Sequence, residues 1–373
     1  MEKTEVYMKD ILDARNEINE IDKQMAQLFQ KRMEAVKDVA VYKKDNGLSV
    51  RDLSREAEVA KRNSKFVTDE SLKPYYVDFI RNTIDVSCKY QESLLRNMTV
   101  AYCGVEGAFA HIAAKKMFAT YKPCATFSEA YEGVEKGDYD CAVLPLENSY
   151  AGEVGEVMDL TFSGDLHINQ VIEVPITHNL MALPGASVDT IKTVVSHPQA
   201  LMQCADFIKK NNFEVKAYSN TALAAKFVKD SGDKTIAAIA SDETANVFGL
   251  DIIEKSVNDV KTNTTRFAAF SRVENTPFCL TKRENENFIL VFTVQNESGA
   301  LASALNIIGA HNFNMRALRS RPMKNLKWNY YFYIEAEGNV NTQNGKELMQ
   351  ELSALCAKLK LVGSYFSDEE YEK

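Results

Sequence analysis

Three adjacent residues in the run KTNTTRFAAF (261–270) combine two hydroxyl groups with a positive charge. Thr264, Thr265 and Arg266 can form hydrogen bonds, and the apolar stretch that follows them reads as a buried strand. A polar turn before the strand would explain them most simply. Whether they belong instead to a binding site depends on what the rest of the chain brings to the same place.

A second candidate site interrupts the apolar seam of a long N-terminal helix. Between residues 14 and 39 the seam positions recur at alternating steps of four and three, the spacing that a packed helix pair requires. Arg32 breaks this seam, and a buried guanidinium is costly unless an anion meets it. Taken alone, Arg32 would be explained by an ion pair with a protein carboxylate.

Further polar residues stand on the inward faces of the same helices. Lys43 follows Arg32 on the first helix, and the third helix carries polar residues where its apolar stripe should continue. Polar positions on several inward helix faces predict one shared, buried polar site. Its candidate members are Arg32, Lys43, Asp52, Arg55, Glu56, Ser87 and Gln91.

Arg15 stands apart from this group along the helix. It precedes Arg32 by 17 residues, which is about 26 Å at the rise of an α-helix. Two side chains so far apart cannot easily contact one small molecule within a single chain. Arg15 is therefore predicted to complete the site of a partner chain.

Composition limits the class of protein. A chain of 373 residues predicts two or three domains, and a formal net charge of −8 leaves no basic excess for nucleic-acid phosphates. No apolar run reaches the length of a membrane span, and the first residues lack the apolar stretch of a signal peptide. The seven cysteines include no C-x-x-C pair, and the five histidines no H-E-x-x-H. These features predict a reduced, cytoplasmic protein with no metal, no nucleic-acid partner and no membrane partner.

The chain divides into three segments with different patterns. Residues 5–96 contain almost no Gly or Pro and read as helix throughout. From residue 99, short β-rich runs alternate with helical stretches, which indicates an α/β fold with largely parallel strands. After a polar joint at 281–287, the order strand–helix–strand–strand–helix–strand is that of a ferredoxin-like α+β fold. The predicted domains are an all-α domain at 1–97, a two-lobed α/β domain at 98–276 and an α+β domain at 285–369.

The helical segment resembles the all-helical chorismate mutases over nearly all of residues 8–96, and the candidate residues fill that family's active-site pattern. The resemblance implies that chorismate, a dianion, rearranges to prephenate without a covalent intermediate, so that positioning and electrostatics supply the rate. The implied roles are carboxylate binding (Arg15 from a partner chain, Arg32, Arg55), donation to the ether oxygen (Lys43, Gln91), acceptance from the ring hydroxyl (Glu56) and further substrate contacts (Asp52, Ser87).

Four predicted strands of the α/β segment run into a polar turn and then at once into a helix. Backbone N–H groups at such helix starts face the carboxyl ends of strands, where open α/β sheets bind anions. Together with the Thr-Arg-Phe run, the segment resembles the prephenate dehydratases over about residues 99–275. The motifs that carry the resemblance are GVEGAFAH (104–111), LPLENSYAG (144–152), SHPQALMQC (196–204), SNTALAA (219–225) and NTTRF (263–267). Val105 and Ala110 stand where that family usually has Pro and Ser.

The dehydratase resemblance implies that prephenate loses its ring carboxylate as CO2 and its ring hydroxyl as water. Hydroxide leaves poorly, so a proton donor beside that oxygen is the natural catalyst. Thr265 is the implied donor, and Glu147 is a second candidate acid because its pKa should rise near a dianion. Arg266 either binds the side-chain carboxylate or braces its loop. The residues implied to orient the substrate are Asn148, Ser149, Ser196, Gln199 and Gln203, whereas His197 reads as a turn residue and Phe267 as core.

Residues 287–366 resemble ACT domains, which bind amino acids between paired domains. The implied effector-binding residues are Gly299, Ala300 and Leu301 at a helix start, and Ser320, Arg321 and Pro322. Arg319 stands where the family's Glu-Ser-Arg-Pro motif has Glu, which leaves the effector's affinity and identity open. Phenylalanine is the default effector, and a fold kept only for dimerisation is the alternative.

The three segments in this order resemble the bifunctional chorismate mutase–prephenate dehydratases of phenylalanine biosynthesis. The implied partners are chorismate and prephenate as substrates, phenylalanine as allosteric effector, and further copies of the chain in a dimer or tetramer. Neither reaction implies a cofactor. Two alternatives stay open. One is a mutase joined to an arogenate dehydratase. The other is a non-catalytic module for small anions or amino acids, because two lobes facing a cleft also describe periplasmic-binding-protein-like receptors.

Overall fold

The computed structural model describes residues 2–94, 99–274, 286–323 and 329–366. The chain forms two compact units, one of residues 1–45 with 50–97 and one of residues 46–49 with 98–373. Most of the polar joint predicted at 281–287 lies outside the described residues. Among the described helices, none combines the length and the apolar character that a membrane span requires.

The first unit is helical, as its scarcity of Gly and Pro predicts. Its elements are α1 (Glu2–Asn46), α2 (Leu53–Ser64), a 3₁₀ turn (Glu70–Leu72) and α3 (Lys73–Leu94). α2 begins at an N-cap, where the side chain of Asp52 accepts a hydrogen bond from the backbone N–H of Arg55 at 3.0 Å. Ala60 of α2 and Ile80, Ile84 and Cys88 of α3 form a small core between these two helices.

The seam of α1 is not buried within the chain, although its spacing predicts a packed helix pair. Ile18, Ile21, Met25 and Leu28 are 56%, 48%, 41% and 64% exposed. An apolar stripe normally covers a core, and a stripe left open over several turns is typical of a protein–protein contact. The helix is therefore confirmed, but the partner that its seam predicts does not lie within the described residues of one chain.

The second unit begins with a two-lobed α/β region. Its elements in chain order are β1 (Val100–Cys103), α4 (Phe109–Met117), β2 (Tyr121–Cys124), α5 (Phe127–Lys136), β3 (Cys141–Asn148), β4 (Gly152–Glu153), α6 (Gly155–Ser163), β5 (His167–Pro175), β6 (Asn179–Ala182), a 3₁₀ turn (Val188–Thr190), β7 (Thr193–Ser196), α7 (Pro198–Met202), α8 (Ala205–Lys210), β8 (Glu214–Ala217), α9 (Thr221–Ser231), β9 (Ile236–Ala240), α10 (Asp242–Phe248), β10 (Asp251–Glu254) and β11 (Thr264–Ser271). The first lobe holds the sheet β2-β1-β3-β11-β5 with β4 beside β3, and the second lobe holds β10-β6-β9-β7-β8.

The prediction of largely parallel strands is wrong for these two sheets. β1 is parallel to β2 and β3, and β7 is parallel to β8 and β9. However, β11 is antiparallel to both of its neighbours, and β6 is antiparallel to β9 and β10. The chain leaves the first lobe after β5 and returns to it after β10. The strands that flank the two crossings, β5, β6, β10 and β11, are therefore antiparallel to their neighbours.

The four predicted strand–turn–helix joins are confirmed at the starts of α4, α7, α9 and α10. Three of these helix starts are capped by the chain's own side chains, since His197, Asn220 and Ser241 each accept a hydrogen bond from a backbone N–H of the first turn. His197 is thus a turn residue, as its sequence position indicates. Some of the backbone N–H groups that the sequence pattern predicts to be available to an anion are therefore already bound by these caps.

The C-terminal domain, residues 286–366, has the predicted order of elements. They are β12 (Glu286–Thr293), α11 (Ala300–Ala310), β13 (Asn314–Pro322), β14 (Tyr330–Glu337), α12 (Gln343–Leu355) and β15 (Lys358–Phe366), and their antiparallel sheet has the order β13-β14-β12-β15. One face of this sheet packs on α11 and α12 through Phe288, Leu290 and Ile334.

The other face of the C-terminal sheet shares a hydrophobic core with the first lobe. Ile289, Val291 and Tyr333 lie in one buried cluster with Leu144 and Phe270. Gly363 of β15 makes the close approach to β5 possible, because a Cβ there would lie 1.9 Å from the carbonyl oxygen of Ile168. Since both parts lie in one compact unit, the predicted division into domains at 98–276 and 285–369 stays a prediction.

Candidate active sites

Arg32 lies half-buried where α1 meets α3. Its guanidinium donates a hydrogen bond to the hydroxyl of Ser87, and that hydroxyl donates to the carbonyl oxygen of Thr83 at 2.6 Å. Burial lowers the pKa of Arg32, and the side chains that the structure describes around it supply no carboxylate partner. No carboxylate partner for an internal ion pair is therefore found among the described side chains, and the half-buried cation can still accept an anion.

Lys43 and Gln91 add further polar groups to the same helix faces. Lys43 donates from Nζ to the carbonyl oxygen of Val50. Burial lowers the pKa of Lys43, an effect that nearby Asp52 partly offsets. Gln91 is 6% exposed, and its Oε1 has no hydrogen-bond partner among the described residues. A buried cation and a buried amide with open capacity are groups that a polar ligand would satisfy.

Two residues that the sequence pattern did not single out hold Glu56. Its Oε2 accepts from Nη1 of Arg51 at 3.3 Å, and its Oε1 accepts from the thiol of Cys88 at 3.6 Å. Burial, together with the charge of Glu56, raises the pKa of the Cys88 thiol to about 11. Arg51 reads in the sequence as a solvated loop residue. Cys88 could have been found from its position beside Ser87 on the inward face of α3.

Of the predicted helical site, the structure brings Arg32 beside Ser87 and Lys43 near Asp52, Arg55 and Glu56. Cys88 lies within electrostatic reach of Arg32 and of Lys43, so it links the Arg32–Ser87 pair to the group around Lys43, Asp52, Arg55 and Glu56. Arg15 is exposed on α1. Its distance along the helix from Arg32 places it outside this cluster, as predicted.

In the first lobe, Thr265 and Asn148 lie opposite each other in the antiparallel pair of β11 and β3. Asn148 donates from Nδ2 to the hydroxyl oxygen of Thr265 at 2.9 Å. The orientation of this amide is fixed, because its Oδ1 accepts from the backbone N–H groups of Tyr150 and Ala151 at 3.0 and 2.9 Å. Since the oxygen of Thr265 accepts the bond from Asn148, its O–H proton is directed elsewhere and can be donated to a ligand.

Asn263 belongs to this cluster, although the sequence pattern marked only the run that contains it. Its Oδ1 accepts from Nδ2 of Asn148 at 2.7 Å and from the hydroxyl of Ser149 at 3.4 Å. Ser149 in turn accepts from the backbone N–H of Thr264 at 2.9 Å. Asn263 is 3% exposed, and its Nδ2 has no partner among the described residues. A buried donor of this kind is costly unless a ligand or a water meets it.

The contacts of Arg266 favour the second of the two roles that the sequence left open for it, the structural brace. Its guanidinium binds Glu147 Oε1 at 2.7 Å and the two carboxylate oxygens of Glu335 at 2.9 and 3.0 Å, and it also contacts the hydroxyl of Tyr365. Burial lowers the pKa of Arg266, but the opposing effect of Tyr365, Glu335 and Glu147 is larger. The pKa therefore lies above its usual value. Arg266 thus forms ion pairs with both the first lobe and the C-terminal domain, and its predicted contact with the substrate stays a prediction.

Glu147 is held in the same way. Its Oε1 accepts from Arg266 and its Oε2 accepts from Arg319. Both oxygens thus act as acceptors in ion pairs, an arrangement that argues against Glu147 as the proton donor. Phe267 is 3% exposed and lies in the core, as predicted.

Two of the three predicted residues of the second lobe, Ser196 and Gln203, have side-chain partners in the protein. Ser196 donates to the carbonyl oxygen of Ile239 at 2.6 Å, which ties β7 to β9. Gln203 Oε1 lies 3.0 Å from Nε2 of His178, and Gln199 lies half-buried on α7. Within the described residues, none of the three hydrogen-bonds to Thr265 or Asn148, so their predicted role in orienting a ligand stays a prediction.

His178 lies where the chain crosses between the two lobes. Its ring meets Phe109 of α4 edge-on at 5.6 Å between centroids, and Gln203 of the second lobe binds its Nε2. Burial lowers the pKa of His178 to about 4, and the bond to Gln203 offsets only part of this effect. The imidazole is therefore neutral at neutral pH.

The low pKa of His178 predicts a loss of stability in acid. Above about pH 6.5 the ring is neutral in both the folded and the unfolded chain. As the pH falls toward 4, the ring is protonated in the unfolded chain but stays neutral in the folded chain. The free energy of unfolding is expected to fall by up to about 3 kcal/mol across this range. Hydrogen-exchange protection factors of the amides of β6 and β9, compared at pH 7, 5.5 and 4.5, measure it. A His178→Gln variant should show a shallower pH dependence, and an equal one would contradict the assignment.

Comparisons with known proteins identify the family. Residues 14–92 match the family model "Chorismate mutase type II", and residues 100–275 match "Prephenate dehydratase". The bifunctional chorismate mutase/prephenate dehydratase of Buchnera aphidicola subsp. Acyrthosiphon pisum is 30% identical over 96% of this chain and 97% of its own length. The chain belongs to the bifunctional chorismate mutase/prephenate dehydratase family. The resemblance predicted from the sequence motifs is thereby confirmed, and with it both enzyme activities.

Two solved structures each match nearly three quarters of this chain. A prephenate dehydratase from Arthrobacter aurescens in complex with L-Phe is 25% identical, with a TM-score of 0.68, over 73% of this chain and 91% of that chain. A protein described as GqqA, a novel type of quorum quenching acylase, is 28% identical, with a TM-score of 0.66, over 72% and 98%. One fold thus carries two different activities, so the assignment rests on the full-length family match.

The residues predicted to bind the effector of this bifunctional family are split between two faces of the C-terminal sheet. Gly299 is in the left-handed conformation at the start of α11, with a φ of 86°, and Ala300 and Leu301 follow it. On β13, Arg321 binds Asp159 and Glu153 of the first lobe at 3.0 and 3.2 Å, whereas Ser320 and Pro322 are exposed. Arg321 therefore already has anionic partners, and its predicted contact with an effector stays a prediction.

Proposed function

We propose that the helical unit rearranges chorismate to prephenate, that the two-lobed region converts prephenate to phenylpyruvate, and that phenylalanine regulates the second step through the C-terminal domain. The observation that carries the proposal is Arg32, a half-buried cation bound to Ser87 and to no carboxylate among the described residues. A dianionic substrate supplies the missing charge.

In the mutase site, the protein's own groups act by position and charge. Arg32 and Arg55 bind carboxylates, while Lys43 and Gln91 stabilise the charge that grows on the ether oxygen. Glu56, held by Arg51 and Cys88, accepts from the ring hydroxyl. Lys43 has a pKa lowered by burial. An arriving anion favours its charged form, so binding and charge stabilisation reinforce each other.

In the dehydratase site, Thr265 donates its proton to the departing ring hydroxyl. Asn148 supports this role because its amide N–H donates to the threonine oxygen, which leaves the O–H proton of Thr265 for the substrate. The orphaned Nδ2 of Asn263 provides a further donor for the substrate. Arg266 is committed to Glu147 and Glu335, so the side-chain carboxylate is bound by backbone N–H groups and amides rather than by this arginine.

The exposed seam of α1 supports a dimer in which each mutase site takes Arg15 from the other chain. We expect Arg15→Ala and Arg32→Ala homodimers each to be inactive as mutases. Mixed dimers should recover activity, because one of their two sites combines an intact Arg15 with an intact Arg32. The measurement is chorismate consumption after co-incubation, with subunit exchange checked by native mass spectrometry. Exchange without recovery would contradict the shared site.

The C-terminal domain is proposed to be an ACT domain that binds phenylalanine. Its order of elements and the left-handed Gly299 before α11 support this assignment, and the Arthrobacter aurescens relative is described in complex with L-Phe. The alternative of a purely dimerising domain predicts no response of dehydratase activity to L-phenylalanine.

One assay series tests the whole proposal. Incubation with chorismate should give prephenate and then phenylpyruvate, and added L-phenylalanine should lower the rate of the second step. Absence of phenylpyruvate would contradict the dehydratase assignment. The family match does not favour either a binding module without turnover or an arogenate dehydratase. Faster turnover of arogenate than of prephenate would reverse the latter choice.

A further inference from the structure

The catalytic pair of the dehydratase site has a counterpart on the opposite face of the same strands. Thr265 of β11 lies opposite Asn148 of β3, and the next residues, Arg266 and Glu147, form the next cross-strand pair. Successive side chains of a strand point to opposite faces of a sheet. The proton donor and its amide therefore face one side, and the Arg266–Glu147 ion pair faces the other.

The far side of this ion pair is held by the C-terminal domain. Glu335 of β14 is 1% exposed and binds Arg266 with both oxygens. The hydroxyl of Tyr365 on β15 bridges the two, since it donates to Glu335 and accepts from Arg266. A carboxylate this deeply buried requires a paired cation, so the position of Arg266 is strongly constrained.

Arg319 completes the network from β13. It donates from Nη2 to the second oxygen of Glu147, its Nε lies 3.5 Å from Glu153, and its guanidinium lies 5.5 Å from the centre of the Tyr333 ring. Each oxygen of Glu147 thus has its own arginine, one from β11 and one from the C-terminal domain. Moving either arginine moves the end of β3, where Asn148 begins the turn.

β13 connects this network to the opposite face of the C-terminal sheet. The side chains of Arg319 and Arg321 are 19% and 22% exposed and bind carboxylates of the first lobe. Ser320 and Pro322 alternate with them and are exposed. A ligand that contacts Ser320 or Pro322 therefore touches the strand that holds Glu147 from its other side.

We propose that Arg319 and Glu335 are positioning residues of the dehydratase reaction. They fix Glu147 and Arg266 and thereby set the placement of Asn148 and Thr265, and an amino acid bound at β13 is sensed by the active site through the Arg319–Glu147 pair. This inference rests on the proposed function of the two-lobed region and adds to it a route of regulation.

The kinetic test uses Arg319→Gln and Glu335→Gln in the full-length chain. Each should lower dehydratase kcat by roughly 10- to 100-fold, the effect of misplacing a catalytic group by about an ångström. KM for prephenate should change less, since neither residue touches the substrate. Arg319→Lys keeps the charge and should retain most of the activity. Mutase activity, measured on the same samples, reports whether the helical unit is intact, and near-ultraviolet circular dichroism reports the packing of the rest of the chain.

A double-mutant cycle tests whether Arg319 acts through Glu147. In a Glu147→Gln background, Arg319→Gln should cause little further loss of kcat, because the contact it would break is already weakened. Lys358→Gln is the matched control. Lys358 also crosses from the C-terminal domain, donating to the carbonyl oxygen of Phe162 at 2.9 Å, and it does not contact β3 or β11. Its removal should leave dehydratase kcat unchanged. Fully additive losses in the cycle would overturn the proposed route.

The response to L-phenylalanine tests the regulatory half. The change in dehydratase activity that L-phenylalanine causes in the wild type should be at least about fivefold weaker in Arg319→Gln, the lower range of allosteric coupling. An undiminished response would show that the signal does not pass through Arg319.

Hydrogen exchange separates failure of this inference from failure of the proposed function. The amides of 147–149 and 264–266 should exchange faster in Arg319→Gln than in the wild type, whatever substrate the site uses. Unchanged exchange together with unchanged kcat would overturn the positioning role. Faster exchange in a chain whose wild type never turns over prephenate would support the positioning network and count against the dehydratase assignment alone.

Discussion

Thr265→Val is expected to stop dehydration of prephenate while leaving the formation of prephenate from chorismate unchanged. Valine has nearly the shape of threonine but lacks the hydroxyl, so the variant removes the proposed proton donor and preserves the packing of a residue that is 8% exposed. A positioned proton donor typically contributes 10²–10⁴-fold, and a loss of about this size in kcat is expected. Prephenate and chorismate are supplied separately, and both products are followed.

The serine variant is the matched control for this prediction. Thr265→Ser keeps the hydroxyl and can still accept from Nδ2 of Asn148, so we expect it to retain most of the dehydratase activity. Loss of both activities in Thr265→Val would indicate misfolding rather than chemistry. Near-normal dehydration by the valine variant would remove Thr265 as the donor, and the acid would then have to be sought elsewhere, since Glu147 is bound by two arginines.

The sequence signal for the helical site is local. Arg32 interrupts a regular apolar spacing, and a charge in such a position has few physical explanations. The sequence could not distinguish an internal carboxylate from an external anion as its partner. The structure places Arg32 beside Ser87, 55 residues away, and no spacing rule connects the two positions.

The role of Arg266 shows the limit of such predictions. Its sequence neighbours suggested either substrate binding or a structural brace, and the answer depends on Glu335, which lies 69 residues further along the chain. Arg319 was recognised only as a departure from a motif. Its contact with Glu147 depends on the packing of β13 against the first lobe. Contacts between distant strands depend on topology, which local periodicity does not encode.

The mixed strand directions have the same origin. Alternating strands and helices correctly predicted an α/β region, but two crossings between lobes reverse the chain, and the sequence does not mark them. Residues such as His178 and Asn258 occupy these crossings, where the backbone N–H of His178 donates to Asn258 Oδ1 at 2.7 Å. In the sequence they read as ordinary polar loop residues.

Arg32→Leu is expected to abolish mutase activity while the helical unit keeps or gains stability. The wild-type chain holds a guanidinium in a half-buried place where it has only a neutral hydroxyl partner among the described residues. Replacing such a cation by an apolar residue of the same seam removes a desolvation cost, and it also removes the group that binds the substrate carboxylate. The loss of mutase activity should be on the order of 10²–10³-fold, with dehydration of added prephenate unaffected.

The opposite signs of these two effects are what separates a binding arginine from a structural one. Replacing a structural arginine would lower both stability and activity. Replacing an arginine that is retained for ligand binding lowers activity but leaves the stability of the folded unit unchanged or higher. Hydrogen-exchange protection of α2 and α3 measures the stability of the helical unit, which denaturation of the whole multidomain chain would not isolate.

Arg62→Leu, at an exposed position near the end of α2, controls for the change of charge and should leave the mutase rate as it is. If Arg32→Leu still rearranges chorismate at the wild-type rate, the cation-lined site on α1 and α3 is not where the reaction occurs. If it loses both activity and protection, Arg32 supports the fold, and the anion it needs is part of the protein.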